Sequence, residues 1–78
     1  MAETKVDLVS NDNWVLVTSQ AVFTAQNASD HTQWWTSSTG APAGTAVGIE
    51  IMPGQGADDS FGSEDLYARG FGTVVVVY

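Results

Sequence analysis

The sequence has no cysteine and a single histidine, His31. Without cysteine the chain can form neither a disulfide nor a thiolate metal site, and one histidine cannot build a His-rich zinc site. A chain of 78 residues is expected to form one domain, whose hydrophobic core alone contributes only a few kcal/mol. We therefore expect self-association to supply the stability that other small domains obtain from disulfides or metals.

Positive charge is also scarce. Lys5 and Arg69 stand against nine acidic residues, which gives a formal net charge of -7. This charge repels phosphate backbones and anionic lipid headgroups, so we expect neither nucleic acid nor a membrane surface as a partner. The acidic surface either keeps a β-rich domain dispersed in solution or meets a partner of opposite charge.

Long apolar runs and a leader are missing as well. No apolar run approaches the length of about 18 residues that a membrane span requires. The first residues do not combine a basic region with an apolar stretch. We expect neither a membrane-spanning segment nor a signal peptide.

The sequence does contain short apolar runs divided by Gly, Pro, Asn, Asp and Ser, a spacing typical of all-β proteins. We predict a small antiparallel β-sandwich of about seven short strands. The strands are expected near residues 5–9, 14–18, 21–26, 32–37, 46–52, 65–69 and 72–78. Residues 13–78 would form the β-sandwich domain, and residues 1–12 an N-terminal arm or edge segment.

Alternation of apolar and polar residues assigns faces to two of these strands. Phe23 and Ala25 are predicted to share one buried face. Val47, Ile49 and Ile51 are predicted to point inward from another strand.

Two further strands are apolar on both faces. Residues 14–17 are predicted to form a central strand or one that is covered twice. In the C-terminal run, Val74, Val76 and Tyr78 share one face, and the opposite face is also apolar. A small chain has little material for two layers over one terminal strand, so we expect another copy or a partner to cover part of it.

Neighbouring residues of a strand point to opposite faces, so one of Trp34 and Trp35 is predicted to enter the core. The outward indole would lie over a neighbouring loop or edge, contact another chain, or stack on a sugar. Arg69 is expected to pair with a carboxylate, either across the sheet or across a subunit boundary. The predicted interface residues are Trp34, Trp35, Arg69, Val74, Val76 and Tyr78.

No catalytic, cofactor-binding or metal-binding residue is predicted. The sequence lacks a Gly-x-Ser-x-Gly elbow, and Asp30 and His31, as neighbours on a strand, would face apart. The acidic residues between positions 58 and 65 do not have EF-hand spacing and are expected to be solvated. Asn27-Ala-Ser29 matches a glycosylation sequon, but we expect it to form a turn because we find no secretory signal.

Five segments before the valine-rich end carry a resemblance: Trp14-Val-Leu-Val, Val22-Phe-Thr-Ala-Gln-Asn27, Thr39-Gly-Ala-Pro42, Ile49-x-Ile-x-Pro-Gly54 and Leu66-Tyr-Ala-Arg-Gly70. Over residues 13–78 the series resembles small β-sandwich virion proteins of tailed bacteriophages, which include head decoration and tail-associated proteins. The resemblance implies a non-enzymatic structural protein of the virion that assembles on a particle, often with three-fold symmetry. Its partners would be other copies of the chain and the major capsid protein or another virion protein.

The expected function is therefore that of a capsid decoration or cement protein that self-associates, with a trimer as the implied state, and docks on a larger shell. One alternative is a structural module of a phage tail or receptor-binding apparatus. Another is a small carbohydrate-binding β-sandwich module that uses the outward tryptophan.

Overall fold

The computed structural model describes residues 2–62 and 64–78. Within them the β-strands are β1 (Glu3–Thr18), β2 (Thr24–Asn27), β3 (Gln33–Ser38), β4 (Ile49–Ile51), β5 (Gly56–Asp58) and β6 (Asp65–Val77). A 3-10 turn at Asp59–Phe61 follows β5. No helix in the described residues is long and apolar enough to cross a membrane. The prediction of an all-β chain is confirmed.

The sheet is organised around β6. One edge of β6 pairs with β1 along most of its length, from Glu3 opposite Val77 to Thr18 opposite Leu66. The other edge pairs with β3 in the first half of β6 and with β2 in the second half. β4 extends the sheet beside β3, β5 extends it beside β2, and every pairing is antiparallel. Valine-rich β6 suits this position because β-branched side chains pack well on a paired, buried strand.

The sheet curls where β6 bends. Gly70 and Gly72 have φ angles of 129° and 96°, a region that favours glycine. A Cβ added at Gly72 would also collide with the side chain of Ser29, so this close approach requires glycine. Near the bend, the register of β1 shifts between Ser10 and Val15, which adds residues to that strand. A single curled sheet therefore stands where a two-sheet sandwich was predicted, and the sandwich is not confirmed.

The concave side of the curled sheet encloses the core. Phe23 and Ala25 are 5% and 1% exposed, which confirms their predicted burial. Fully burying a large aliphatic or aromatic side chain contributes about 1.5–3 kcal/mol. The buried apolar residues are Leu8, Val17, Phe23, Ala25, Trp35, Ile51, Leu66, Ala68, Val74 and Val76.

Asn27 lies completely inside the fold. Its Nδ2 donates hydrogen bonds to the carbonyls of His31 and Ile51 at 2.8 and 3.0 Å. Its Oδ1 accepts from the backbone N–H and the hydroxyl of Ser29 at 3.1 and 2.6 Å. The predicted turn at Asn27-Ala-Ser29 is therefore present, and the asparagine amide that a glycan would need is engaged in the interior.

The inward face predicted for residues 47–51 is mostly wrong. Val47 and Ile49 are 90% and 60% exposed, and only Ile51 is buried. The reason is that β4 has only 3 residues and lies at an edge of the sheet. Leu16 is likewise 47% exposed, because β1 pairs with β6 alone among the described strands. The prediction of a central strand at this segment is also wrong.

Of the two predicted alternatives for the N-terminal segment, an arm or an edge segment, the structure has the edge segment. Residues 3–10 pair with β6 of the same chain and bury Leu8 in its core. β1 continues without interruption through the boundary expected between residues 12 and 13. Met1 lies outside the described residues.

Candidate interaction surface

Three of the predicted interface residues, Trp35, Val74 and Val76, are 0% exposed in the single chain. The pleat of β6 directs Val74 and Val76 to the concave side of the sheet, where Trp35 belongs to the same core cluster. The prediction that these residues contact another chain is wrong, because curling of the sheet covers them with the chain's own residues. The other three predicted interface residues lie at least partly at the surface.

Trp34 lies on the opposite face of β3 from Trp35 and is partly buried. This arrangement confirms that one indole enters the core while the other points outward. The register partners of Trp34 are Arg69 on β6 and Glu50 on β4. A Cβ added at Gly48 would lie 3.0 Å from Trp34 Cβ, so the segment before β4 runs directly over this face. The chain's own loop therefore lies beside the outward tryptophan, as the first alternative predicts, and contact of the indole with another chain or a sugar stays a prediction.

Arg69 holds this loop against the sheet. Its guanidinium donates to the carbonyls of Gly44 and Ala46 at 3.0 and 2.9 Å. Its Cζ lies 4.3 Å from the centroid of the Trp14 ring, a cation–π contact of about 0.5–1 kcal/mol at an exposed site. Trp14 Nε1 donates to the carbonyl of Ala43 at 3.1 Å. The predicted pairing of Arg69 with a carboxylate across the sheet is wrong, because its two terminal nitrogens donate to backbone oxygens instead, and the alternative across a subunit boundary stays a prediction.

Residues 43–48, which we call the strap, form one wall of a groove of about 470 Å³. Trp34, Asn11 and Arg69 also line it. The strap uses two of the five Arg69 N–H donors, and the other polar side chains in this lining are those of Asn11, Thr45 and Trp34, whose indole has one N–H. A sugar site needs several polar groups that converge beside the ring, and this groove offers few.

Val47, near the end of the strap, and Ile49 and Met52, which follow it, are 90%, 60% and 44% exposed. They belong to β4 and to the residues on either side of it, and we call them the β4 rim. Among the described strands β4 pairs with β3 alone, so the outer side of the rim is uncovered there. Sequence alternation missed the rim because it assigned two of these residues to the core. The loop at residues 39–46, rich in Gly, Ala and Thr, was the signal that the strand is short.

Tyr78 is hydrogen-bonded to residues at the start of the chain through both its backbone and its side chain. Its backbone N–H donates to Ala2 O at 2.9 Å, and Ala2 N–H donates to Tyr78 O at 2.6 Å. Its phenolic oxygen lies 3.0 Å from the Thr4 hydroxyl. The side chain stays 41% exposed beside this edge.

Two polar pairs lie at the surface outside the rim residues, Asp30 with His31 and Asp58 with Ser60. Asp30 and His31 occupy a bend, and their Oδ1 and Nε2 atoms are 3.4 Å apart. The prediction that they face apart is wrong, because they are not on a strand. Asp58 accepts hydrogen bonds from the hydroxyl and the N–H of Ser60, which hold the pKa of its carboxyl below the usual 3.8. Within the described residues no acidic or histidine cluster is arranged to hold a metal ion.

The fold and the surface together define a small all-β protein with an exposed apolar rim beside a strapped loop and with β1 at a sheet edge. Comparison with protein-family models, with curated proteins and with solved structures finds no match for the chain.

Proposed function

We propose that this protein is a non-enzymatic structural component of a tailed-phage virion, a capsid decoration or cement protein that self-associates and docks on a larger protein shell. The β4 rim carries the proposal. Val47 and Ile49 are β-branched residues that are more than half exposed, and Met52, three residues after Ile49, is also exposed. Exposed apolar side chains at an edge strand of a small protein favour a protein contact, because burial returns about 25 cal/mol per Å² of apolar surface.

Charge defines the expected partner. The chain has a formal net charge of -7, and the exposed Glu50 lies within the rim segment. We expect the receiving site on the shell to present an apolar patch bordered by basic residues, since complementary charge steers association and excludes wrong partners.

The runner-up location in the virion is the tail, where the same rim would serve as a contact surface. The carbohydrate-binding alternative has one observation in its favour, the groove beside Trp34. It is weakened because the strap carbonyls already engage two of the Arg69 N–H donors, which leaves few polar groups to converge beside a sugar ring.

Co-sedimentation tests the proposal. Purified protein is mixed with empty expanded capsids of tailed phages, and separately with purified tails of the same phages. Sedimentation with capsids that is lost in Val47→Asp and Ile49→Asp is the expected result, because a charge in the contact must be desolvated. The matched control is Val22→Asp, which places the same charge at a 72% exposed valine outside the rim.

Two results would overturn the proposal. Sedimentation with tails alone would make the chain a tail module. Binding to a glycan array that is lost in Trp34→Ala, without binding to either particle, would make it a carbohydrate-binding module.

A further inference from the structure

The longest uncovered edge of the sheet belongs to β1. In the described residues β1 pairs with β6 only. Ala2 and Tyr78 exchange both backbone hydrogen bonds, so they are a hydrogen-bonded pair of the β1–β6 ladder. Since hydrogen-bonded and non-hydrogen-bonded pairs alternate in an antiparallel ladder, every second residue of β1 directs its N–H and C=O away from β6. These outward residues are Glu3, Lys5, Asp7 and Val9.

The side chains of the same four residues lie on the convex face of the sheet. In register they stand opposite the convex-face residues of β6, with Lys5 opposite Val75 and Asp7 opposite Thr73. All four are exposed, and Val9 is 77% exposed. The charges along the edge thus read negative, positive, negative, followed by one apolar residue.

This order of charges is complementary to itself when two edges run antiparallel. With Val6 on the two-fold axis, Lys5 of each copy lies opposite Asp7 of the other. The residues that meet are those whose N–H and C=O point outward, so the backbone hydrogen bonds and the ion pairs require the same register. Glu3 then lies opposite Val9.

Other registers are less favourable. An axis at Lys5 places lysine opposite lysine and Glu3 opposite Asp7, and an axis at Asp7 places aspartate opposite aspartate. Like charges directly opposite on a sheet destabilise the pairing. An axis at Thr4 does pair Glu3 with Lys5, but it overlaps a shorter part of the edge.

Two local features of the β1 edge favour contact with a second copy. The Thr73 hydroxyl donates to Asp7 Oδ1 at 2.9 Å, which positions the carboxylate on the convex face and leaves Oδ2 for another donor. On the other face, a groove of about 330 Å³ opens beside the edge and is lined in part by Val6, Leu16 and Tyr78. Val6 of the second copy would lie next to this groove.

We propose that two copies of the chain pair antiparallel through residues 3–9 of β1, about a two-fold axis at Val6, with Lys5 of each copy opposite Asp7 of the other. This rests on the self-association in the proposed function and replaces the implied trimer with a dimer. A two-fold pairing uses the same edge on both copies and closes the assembly. A three-fold ring would have to join β1 to a different edge, and β4 and β5 offer only 3 residues each.

Light scattering on the purified chain tests the pairing, with circular dichroism as the check on folding. The wild type is expected at twice its 8.2 kDa mass. Lys5→Glu and Asp7→Lys should each weaken association about tenfold or more, and the double variant should recover it. Asp7→Lys is diagnostic because it lowers the net negative charge, so general repulsion alone predicts the opposite change. Asp12→Lys, with the same charge change at an exposed position outside residues 3–9, is the matched control and should stay dimeric.

Lys5→Pro is an independent variant. The Lys5 N–H points to the free edge, so proline removes an intersubunit donor without breaking the ladder to β6. A folded monomer is expected. A wild type at 8.2 kDa or at three times that mass overturns the pairing, as does a double variant that is folded but still dissociated. A dimer that does not sediment with capsids overturns the docking in the proposed function and leaves the pairing intact. A monomer that sediments overturns the pairing and the self-association but leaves the docking intact.

Discussion

The indole Nε1 of Trp35 donates a 3.0 Å hydrogen bond to the side-chain oxygen of Gln33, and both residues are 0% exposed. They lie two positions apart on the same face of β3, as the period of a strand requires. The Gln33 Nε2 donates in turn to the carbonyl of Phe71 at 3.2 Å, where β6 bends between Gly70 and Gly72. The buried side-chain amide of Gln33 therefore accepts from the core indole of Trp35 and donates to a carbonyl at the bend.

Replacing Gln33 by leucine should destabilise the fold by about 1–3 kcal/mol, the cost of one unsatisfied buried group. The substitution leaves the buried Trp35 N–H without its partner and takes the Gln33 donor from the Phe71 carbonyl, which still has the Ser29 hydroxyl at 3.5 Å. Urea unfolding followed by tryptophan fluorescence measures the change. Gln20→Leu, at an exposed position, is the control and should stay within about 0.5 kcal/mol of the wild type. Equal midpoints for the two variants would contradict the role of Gln33.

Arg69→Lys should release the strap while leaving the core folded. Lysine lacks the planar fork that reaches both the Gly44 and Ala46 carbonyls, and it stacks less well on Trp14. We expect faster proteolysis within residues 43–48 and a loss of about 1 kcal/mol of stability. Lys5→Arg, a change between the same two residue types away from the strap, should leave both properties unchanged. An unaltered cleavage rate in Arg69→Lys would show that the strap is held by other contacts.

The all-β class, the burial of Phe23 and Ala25 and the opposite faces of Trp34 and Trp35 could be predicted because they depend only on the two-residue period of a strand. Which strands pair is a non-local outcome, and local patterning does not determine it. The alternation of apolar residues that indicates a buried strand also occurs in β4, and it led to a wrong prediction there because Ile49 is 60% exposed.

The surface arrangement was harder to predict for the same reason. The partners of Arg69 are backbone carbonyls 25 and 23 residues away in sequence. Every residue has a backbone carbonyl, so the sequence does not indicate which ones an arginine will bind. The covered faces of Val74 and Val76 depend on the bend at Gly70 and Gly72, which folds the sheet over its own terminal strand. With that cover present, the terminal valines no longer require another chain.

The carboxyl of Asp58 makes the free energy of unfolding depend on pH in the acid range. Hydrogen bonds from Ser60 lower its pKa, so its contribution is present above the unfolded-state value near 3.8 and is lost as the pH falls through the lower folded-state pKa. Asp58→Asn should be less stable than the wild type at pH values above 3.8, and the gap should narrow on acidification below it. Urea midpoints across this range measure the effect. Asp59→Asn is the neighbouring control. An equal pH-dependent difference in urea midpoint from the wild type in both variants would contradict the role given to the Asp58 carboxyl.

The strongest test of the curled sheet is the contrast between Val74→Asp and Val75→Asp. Val74 is 0% exposed in the core, so an aspartate there is an unpaired buried charge and should unfold the chain at a cost above about 4 kcal/mol. Val75 is half-buried on the convex face opposite Lys5 and Gln26, where the new carboxylate meets water and a lysine. Circular dichroism should show a folded Val75→Asp and an unfolded or insoluble Val74→Asp. A folded Val75→Asp of reduced mass by light scattering would place an intersubunit contact on the convex face, whereas unfolding of both variants would mean that the convex face is covered by the chain itself.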